Sequence, residues 1–188
     1  MKNFLLAALA VLCFSCAARS ADSSGVIIQN VAVIDVRNGT VLPGRTVVVR
    51  DRQIDGIFAS AQALSNKDIA TRVDGTGKFL IPGLWDMHVH SVFGDWFPQG
   101  KEISLPLFVA NGITGVRDMG GELDVLLQWR KEITAGTLVG PRMIIAGPML
   151  DGPKPRFPSS VAITTPEDGR HAVDDLKARG ADFINCNR

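Results

Sequence analysis

The sequence predicts an α/β chain in two parts: a β-rich segment over residues 22–80, then strands alternating with helices around a parallel sheet over residues 81–188. Two observations carry this. Up to residue 73, short runs rich in Val, Ile and Thr are broken by turn residues. After Pro82-Gly83 the rhythm changes to strand, loop and helix, repeated. Residues 1–20 stand outside both parts. Lys2 is followed by the apolar run 4–14 and then by small residues, which is how a secretory signal is built, and the run is too short to span a bilayer.

The β-rich part begins with runs at 26–36 and 46–50, with Asn38-Gly39 and Pro43-Gly44 as breakers between them. A small antiparallel sheet is expected. The next strand, 53–59, follows Asp51-Arg52, where a tight turn favours glycine because left-handed backbone is cheap only without a Cβ. Arg52 is a mild local misfit. Asp74-Gly75-Thr76-Gly77 reads as a further turn leading into 78–82.

Four strands are counted in the second part, at 84–90, 113–118, 142–146 and 182–186, the middle two being short apolar runs of the kind buried in parallel sheets. Helices fall between them. Residues 105–110 end at Asn111-Gly112, and Leu123, Leu126, Leu127 and Ile133 recur at helical spacing until Gly136. The third helix, 166–179, is the best marked. Thr165 caps it, Pro166 suits its first position, Glu167 and Asp168 favour the positive end of its dipole, and Gly180 follows. The loop 147–164 holds four prolines and two glycines, and a loop of that length is expected to be functional or disordered, here at the rim of the sheet.

Twenty Lys+Arg stand against 19 Asp+Glu, so nothing in the overall charge points to a polyanionic partner such as nucleic acid, and small molecules are the expected ligands. With 46% hydrophobic and 21% charged residues the chain has enough apolar content for a sizeable core. An exported protein is expected, periplasmic or secreted. Leu12-Cys13-Phe14-Ser15-Cys16 loosely resembles a bacterial lipoprotein site with Cys16 as lipid acceptor, the minor alternative. Of 3 cysteines, only Cys186 lies beyond the signal, so the exported form makes no internal disulfide.

Chemistry concentrates in Asp86-Met87-His88-Val89-His90. Side chains two apart on a strand face the same way, so Asp86, His88 and His90 project together and two imidazoles converge. Neutral imidazole binds Zn, Ni, Fe or Mn at about 2.0 to 2.2 Å, and a strand fixes the separation of two such ligands at low entropic cost. By itself the pair is a weak signal, and solvent-facing or hydrogen-bonded histidines are the commoner reading of it. Asp118 ends the second strand and either contacts a substrate or caps the loop. Arg117 is read as facing outward in a salt bridge, Trp96 and Phe97 as packing over the sheet rim or lining a pocket, and His171 as surface.

The run Ile81-Pro82-Gly83-Leu84-Trp85-Asp86-Met87-His88-Val89-His90, following a β-rich segment, resembles the amidohydrolase superfamily of metal-dependent hydrolases. The stretch from Ala110 through Asp118 to Gly121 resembles the second barrel strand of its branch of Xaa-Pro dipeptidases and imidazolonepropionase-like enzymes. Gly140-Pro141-Arg142 and Gly180-Ala181-Asp182-Phe183-Ile184 resemble the third and fourth. The likeness implies a small β-sandwich segment followed by the first half, about four βα units, of a TIM-type (β/α)8 barrel. It also implies one or two divalent ions, zinc foremost, that activate a water for attack on an amide, dipeptide or cyclic amide C–N bond. By the same resemblance His88 and His90 are metal ligands, and Asp86, which sits deeper, supports a histidine.

Only the N-terminal part of that family pattern is present. A full barrel takes about 250 residues, and the family's two further histidines and its proton-shuttling aspartate lie on the fifth, sixth and eighth strands. The catalytic residue is therefore expected beyond residue 188, and the alternative is a truncated or decayed, non-catalytic member that binds metal weakly. Where that branch commonly has a lysine whose carbamate bridges two metals, this chain has Asn185, which cannot form one. A single ion is then implied, unless residues 185–188 reflect a frameshift or a wrong gene boundary. A half-barrel also leaves its fourth strand as an unpaired apolar edge, through which self-association is expected.

Overall fold

The computed structural model describes residues 25–59, 71–92 and 100–187. The expected signal segment with Cys13 and Cys16, and also Trp96 and Phe97, lie outside the described residues. The chain divides into two compact units whose boundary falls between Ile81 and Pro82.

The first unit is a five-stranded sheet of β1 (Val26–Asp35), β2 (Thr40–Arg50), β3 (Gln53–Phe58), β4 (Thr71–Asp74) and β5 (Phe79–Leu80). β1 and β2 pair antiparallel through the Asn38-Gly39 turn, where Gly39 takes a φ of 74° and donates to the Asp35 carbonyl at 2.8 Å. β2 starts earlier than expected because Pro43-Gly44 does not break the strand. The pair is absorbed as an irregularity in its pairing with β1, with Gly44 at a φ of 60°. β2 and β3 are joined by a turn in which both Asp51 and Arg52 have positive φ, 47° and 64°, so Arg52 occupies the position that prefers glycine.

The expected antiparallel sheet is corrected at its other edge. β4 and β5 both run parallel to β1, end to end, with β4 beside Val26 to Gln29 and β5 beside Ala32 and Val33. The junction between them is the Asp74–Gly77 turn. Asp74 holds it by accepting from Thr76 N–H at 3.1 Å and Thr76 Oγ1 at 2.7 Å, while Asn30, at a φ of 59°, donates its amide to Asp74 at 3.2 Å. Ile27 and Val48 are fully buried with Phe58 packed against them. Among the described residues this unit forms one sheet, not two layers.

The second unit is a three-stranded parallel sheet, β6 (Leu84–Val89), β7 (Ile113–Asp118) and β8 (Arg142–Ile145), in sequential order. Helix α1 (Leu105–Ala110) follows β6, entered through a π-helical turn at Gly100–Ser104, and α2 (Leu123–Ala135) joins β7 to β8. Parallel neighbours need such crossovers because a hairpin cannot reverse direction twice. Val116, Met143 and Ile145 of the strands pack with Leu123 and Leu126 of α2 and Leu176 of α3 (Pro166–Arg179), all at most 3% exposed. The loop 147–164 contains two short parallel strands, β9 (Leu150–Asp151) and β10 (Val161–Ala162).

A regular fourth strand at 182–186 does not form. The segment bends at Asp182 and Phe183, and its partners are divided. Asp182 donates to Ile145 of β8 at 2.8 Å, whereas Asn185 accepts from Leu150 of β9 and Asn187 donates back to it, each at 2.9 Å. Gly147, at a φ of 76°, turns the chain between β8 and β9, so no single straight strand is offered for a continuous ladder. The Asp182 carboxylate substitutes for part of one, accepting from Ile145 N–H at 2.8 Å and from Arg130 of α2 at 2.5 Å.

Candidate metal centre

His88 and His90 lie at the C-terminal end of β6, His88 within the strand and His90 one residue past it. Their ring centres are 5.4 Å apart with the planes tilted by 58°. Two imidazoles bound through nitrogen to one ion at about 2.1 Å must have centres within roughly 6.5 Å of each other, so this separation suits a shared ion.

The strand is irregular where they sit. Between Asp86 and Val89 of β6 the pairing advances three residues against two in β7, from Val116 to Asp118, which is a bulge. Bulges re-aim side chains, and here the Asp86 carboxylate accepts the His88 N–H at 3.1 Å. Asp86 thus supports His88 through the main chain.

His90 is held through its ring. Its Nδ1 lies 3.3 Å from the Gly120 carbonyl oxygen, and because that oxygen only accepts, Nδ1 must carry the proton. In the neutral ring the lone pair then sits on Nε2, the state in which histidine ligates metals. Gly120 fits this approach for a steric reason: a Cβ there would stand 3.0 Å from His90 Nδ1.

Asp118 is fully buried at the end of β7. One carboxylate oxygen accepts the Ser91 N–H at 2.8 Å and the other the Gly120 N–H at 3.2 Å. Burial pushes its carboxyl upward from the usual carboxylate value, opposed by the Ser91 and Gly120 donors. Asp118 therefore binds the two loops at the strand ends together. Among the described residues Arg117 meets no carboxylate in the expected salt bridge. Its Nε donates to the Met87 carbonyl at 2.7 Å and its guanidinium lies 5.7 Å from the Phe183 ring centre. Asn185 donates its amide to the Met119 carbonyl at 2.6 Å, and His171 is exposed on α3. Ser91 and Gly120 were not singled out in the sequence. Their contribution is main-chain N–H and C=O, which no side-chain motif announces, although the Gly-Gly pair after Asp118-Met119 marks a close backbone approach.

As donors, two neutral imidazoles suit zinc or a similar divalent ion, but among the described residues no group of three His, Cys, Asp or Glu gathers. The residues present thus fit part of a coordination sphere.

The fold and site together define an α/β protein whose parallel sheet carries two imidazoles at the C-terminal end of its first strand. No known family profile matches the chain. Enamidase from Eubacterium barkeri is 33% identical over 95 residues, which are 49% of this chain and 23% of enamidase. A Bifidobacterium longum protein with a provisional prolidase assignment superposes with a TM-score of 0.75 at 26% identity, over 87% of this chain and 40% of its own. A Xaa-Pro dipeptidase with methionine bound in its active site gives a TM-score of 0.66 at 22% identity, over 87% and 47%, a likeness of fold alone. The chain is thus similar to amidohydrolase-type enzymes, with a prolidase-like protein and a Xaa-Pro dipeptidase among its structural neighbours. It spans less than half the length of each of these three relatives.

Proposed function

We propose that this chain supplies the first ligand pair of a metal-dependent hydrolase acting on an amide-type C–N bond, in a dipeptide or a cyclic amide. The observation that carries the reading is the 3.3 Å contact of His90 Nδ1 with the Gly120 carbonyl, with the His88 ring centre 5.4 Å from that of His90 at the same strand end. A divalent ion, when bound, lowers the pKa of a water toward about 7 and polarises a carbonyl. The chain's own residues do the positioning. His88 and His90 would hold the ion, Asp86 fixes the backbone of the first, and Asn185, already committed to the Met119 carbonyl, offers no carbamate for a second ion. In this reading β6, β7, β8 and the segment 182–187 are the first four strands of a (β/α)8 barrel, the N-terminal unit is part of a β-sandwich, and the protein is exported to the periplasm or beyond the cell.

Zinc titration of the metal-free chain by calorimetry, paired with hydrolysis assays on proline dipeptides and cyclic amides, tests this. One ion per chain is expected, with binding lost in His88→Ala; zinc binding indifferent to both His88→Ala and His90→Ala would overturn it. A second reading, weak metal binding without turnover, is favoured by the two-donor set among the described residues, since catalytic zinc normally has three protein ligands. Binding without hydrolysis of any of these substrates would select it.

A further inference from the structure

We propose that Asp118 is a positioning residue for the metal centre, a carboxylate clamp that fixes the tautomer of His90 through Gly120 and Ser91 without touching the ion. The inference rests on the reading of His88 and His90 as ligands and adds a role for a group the ligand set does not use.

The clamp is built from three contacts. Asp118 Oδ1 takes the Gly120 N–H at 3.2 Å, Oδ2 takes the Ser91 N–H at 2.8 Å, and the Gly120 carbonyl in turn receives His90 Nδ1 at 3.3 Å. Ser91 directly follows His90, so the carboxylate grips the main chain on the histidine's own segment and the peptide that its ring addresses. A rigid strand anchors the grip: Asp118 pairs with Val89 of β6 and Ile145 of β8, and its own carbonyl accepts from Ala146 N–H at 3.0 Å. Both carboxylate oxygens accept main-chain donors in a fully buried setting, where an unmade hydrogen bond is expensive.

The arrangement is directional. With the Gly120 carbonyl held toward the ring, only the Nδ1–H tautomer makes the bond, and Nε2 is left with its lone pair. Released from the clamp, the Gly120 peptide is free to turn, and the ring is free to place its proton on Nε2 and lose its ligand atom. An asparagine at 118 cannot serve both main-chain donors. Its oxygen accepts one N–H, and its NH2 group faces the other with a second donor.

Long-range proton–nitrogen correlation NMR on the metal-free full chain at about pH 8, above the usual histidine range, reads each ring's tautomer. The signals are assigned with His88→Ala, His90→Ala and His171→Ala. The wild-type His90 is expected as the Nδ1–H form, and Asp118→Asn is expected to convert it to a mixture and to weaken zinc binding by about 10- to 100-fold. The proposal is overturned by a wild-type His90 in the Nε2–H form, or by an Asp118→Asn chain whose His90 tautomer and zinc affinity are unchanged. Should circular dichroism show that Asp118→Asn has lost its fold, the wild-type tautomer decides. Zinc binding indifferent to His88 and His90 would instead sink the ligand reading alone, since the tautomer is measured without metal.

Discussion

At the scale of single residues, two glycines on β7 and just after it make room for side chains of β6. Gly120 admits the His90 ring, and Gly115 admits the Trp85 indole, whose Cε2 would lie 2.2 Å from a Cβ at position 115. Trp85 is 39% exposed, so part of the clash can be relieved by tilting the indole outward, at the expense of its contact with the strand. Gly115→Ala is therefore expected to destabilise the chain by about 1 to 3 kcal/mol, the range for overpacking, seen as a lower urea midpoint with an unchanged slope. A midpoint within error of wild type would mean that the indole does not rest on Gly115 in solution. At this scale the sequence brought His88, His90 and their neighbour Asp86 forward as candidates and was silent about the main-chain groups around them. His88 and His90 were legible because strand alternation is a local rule. The Gly120 carbonyl and the Ser91 amide were not, because their roles depend on the meeting of two loops 30 residues apart.

At the scale of elements, the helices show how far local signals reach. Helix α3 starts and stops where its sequence says it should: Thr165 Oγ1 accepts from Asp168 N–H at 3.1 Å, Asp168 returns the bond to Thr165 N–H at 2.8 Å, and Gly180 closes the far end at a φ of 99°. Thr165→Ala removes half of this box and is expected to cost about 1 kcal/mol of stability, measured by thermal melting. Asp168 makes the same helix acid-sensitive. The Thr164 hydroxyl, the Thr164 and Thr165 N–H groups and the Thr165 hydroxyl hold its carboxyl down at about 2, against an ordinary 3.8. Because the folded value is the lower one, the contribution is fully present above the ordinary value and is lost as pH falls from 3.8 toward about 2. Asp168→Ala should therefore flatten the acid limb of the stability curve in that window; an unaltered limb would show that the box is open in solution. Strands follow other rules. The segment 182–186 has a strand's composition yet splits its bonds between β8 and β9, and β4 and β5 lie parallel to β1 where a run of hairpins was expected. Pairing partners are chosen by the whole sheet, and composition does not name them.

For the whole molecule, the decisive quantities are net charge and the apolar surface left at the sheet edge. Among the described residues β6 pairs only with β7, and on this edge strand Leu84 is 50%, Trp85 39% and Met87 50% exposed. An edge strand that is protected against association carries charge, usually Lys, or a proline; in β6 only Asp86 is acidic, and its carboxylate is spent on the His88 amide. Electrostatic repulsion does little to compensate, since the formal net charge is +1. These 188 residues in isolation are thus expected to self-associate through β6, with a weight-average sedimentation coefficient that rises with protein concentration. Met87→Lys places a charge on that edge without altering either histidine and should shift the chain toward monomer while zinc binding persists. A wild-type chain that sediments as a monomer at every concentration would mean that the β6 edge is covered in solution, and the mutation would then change nothing but the charge.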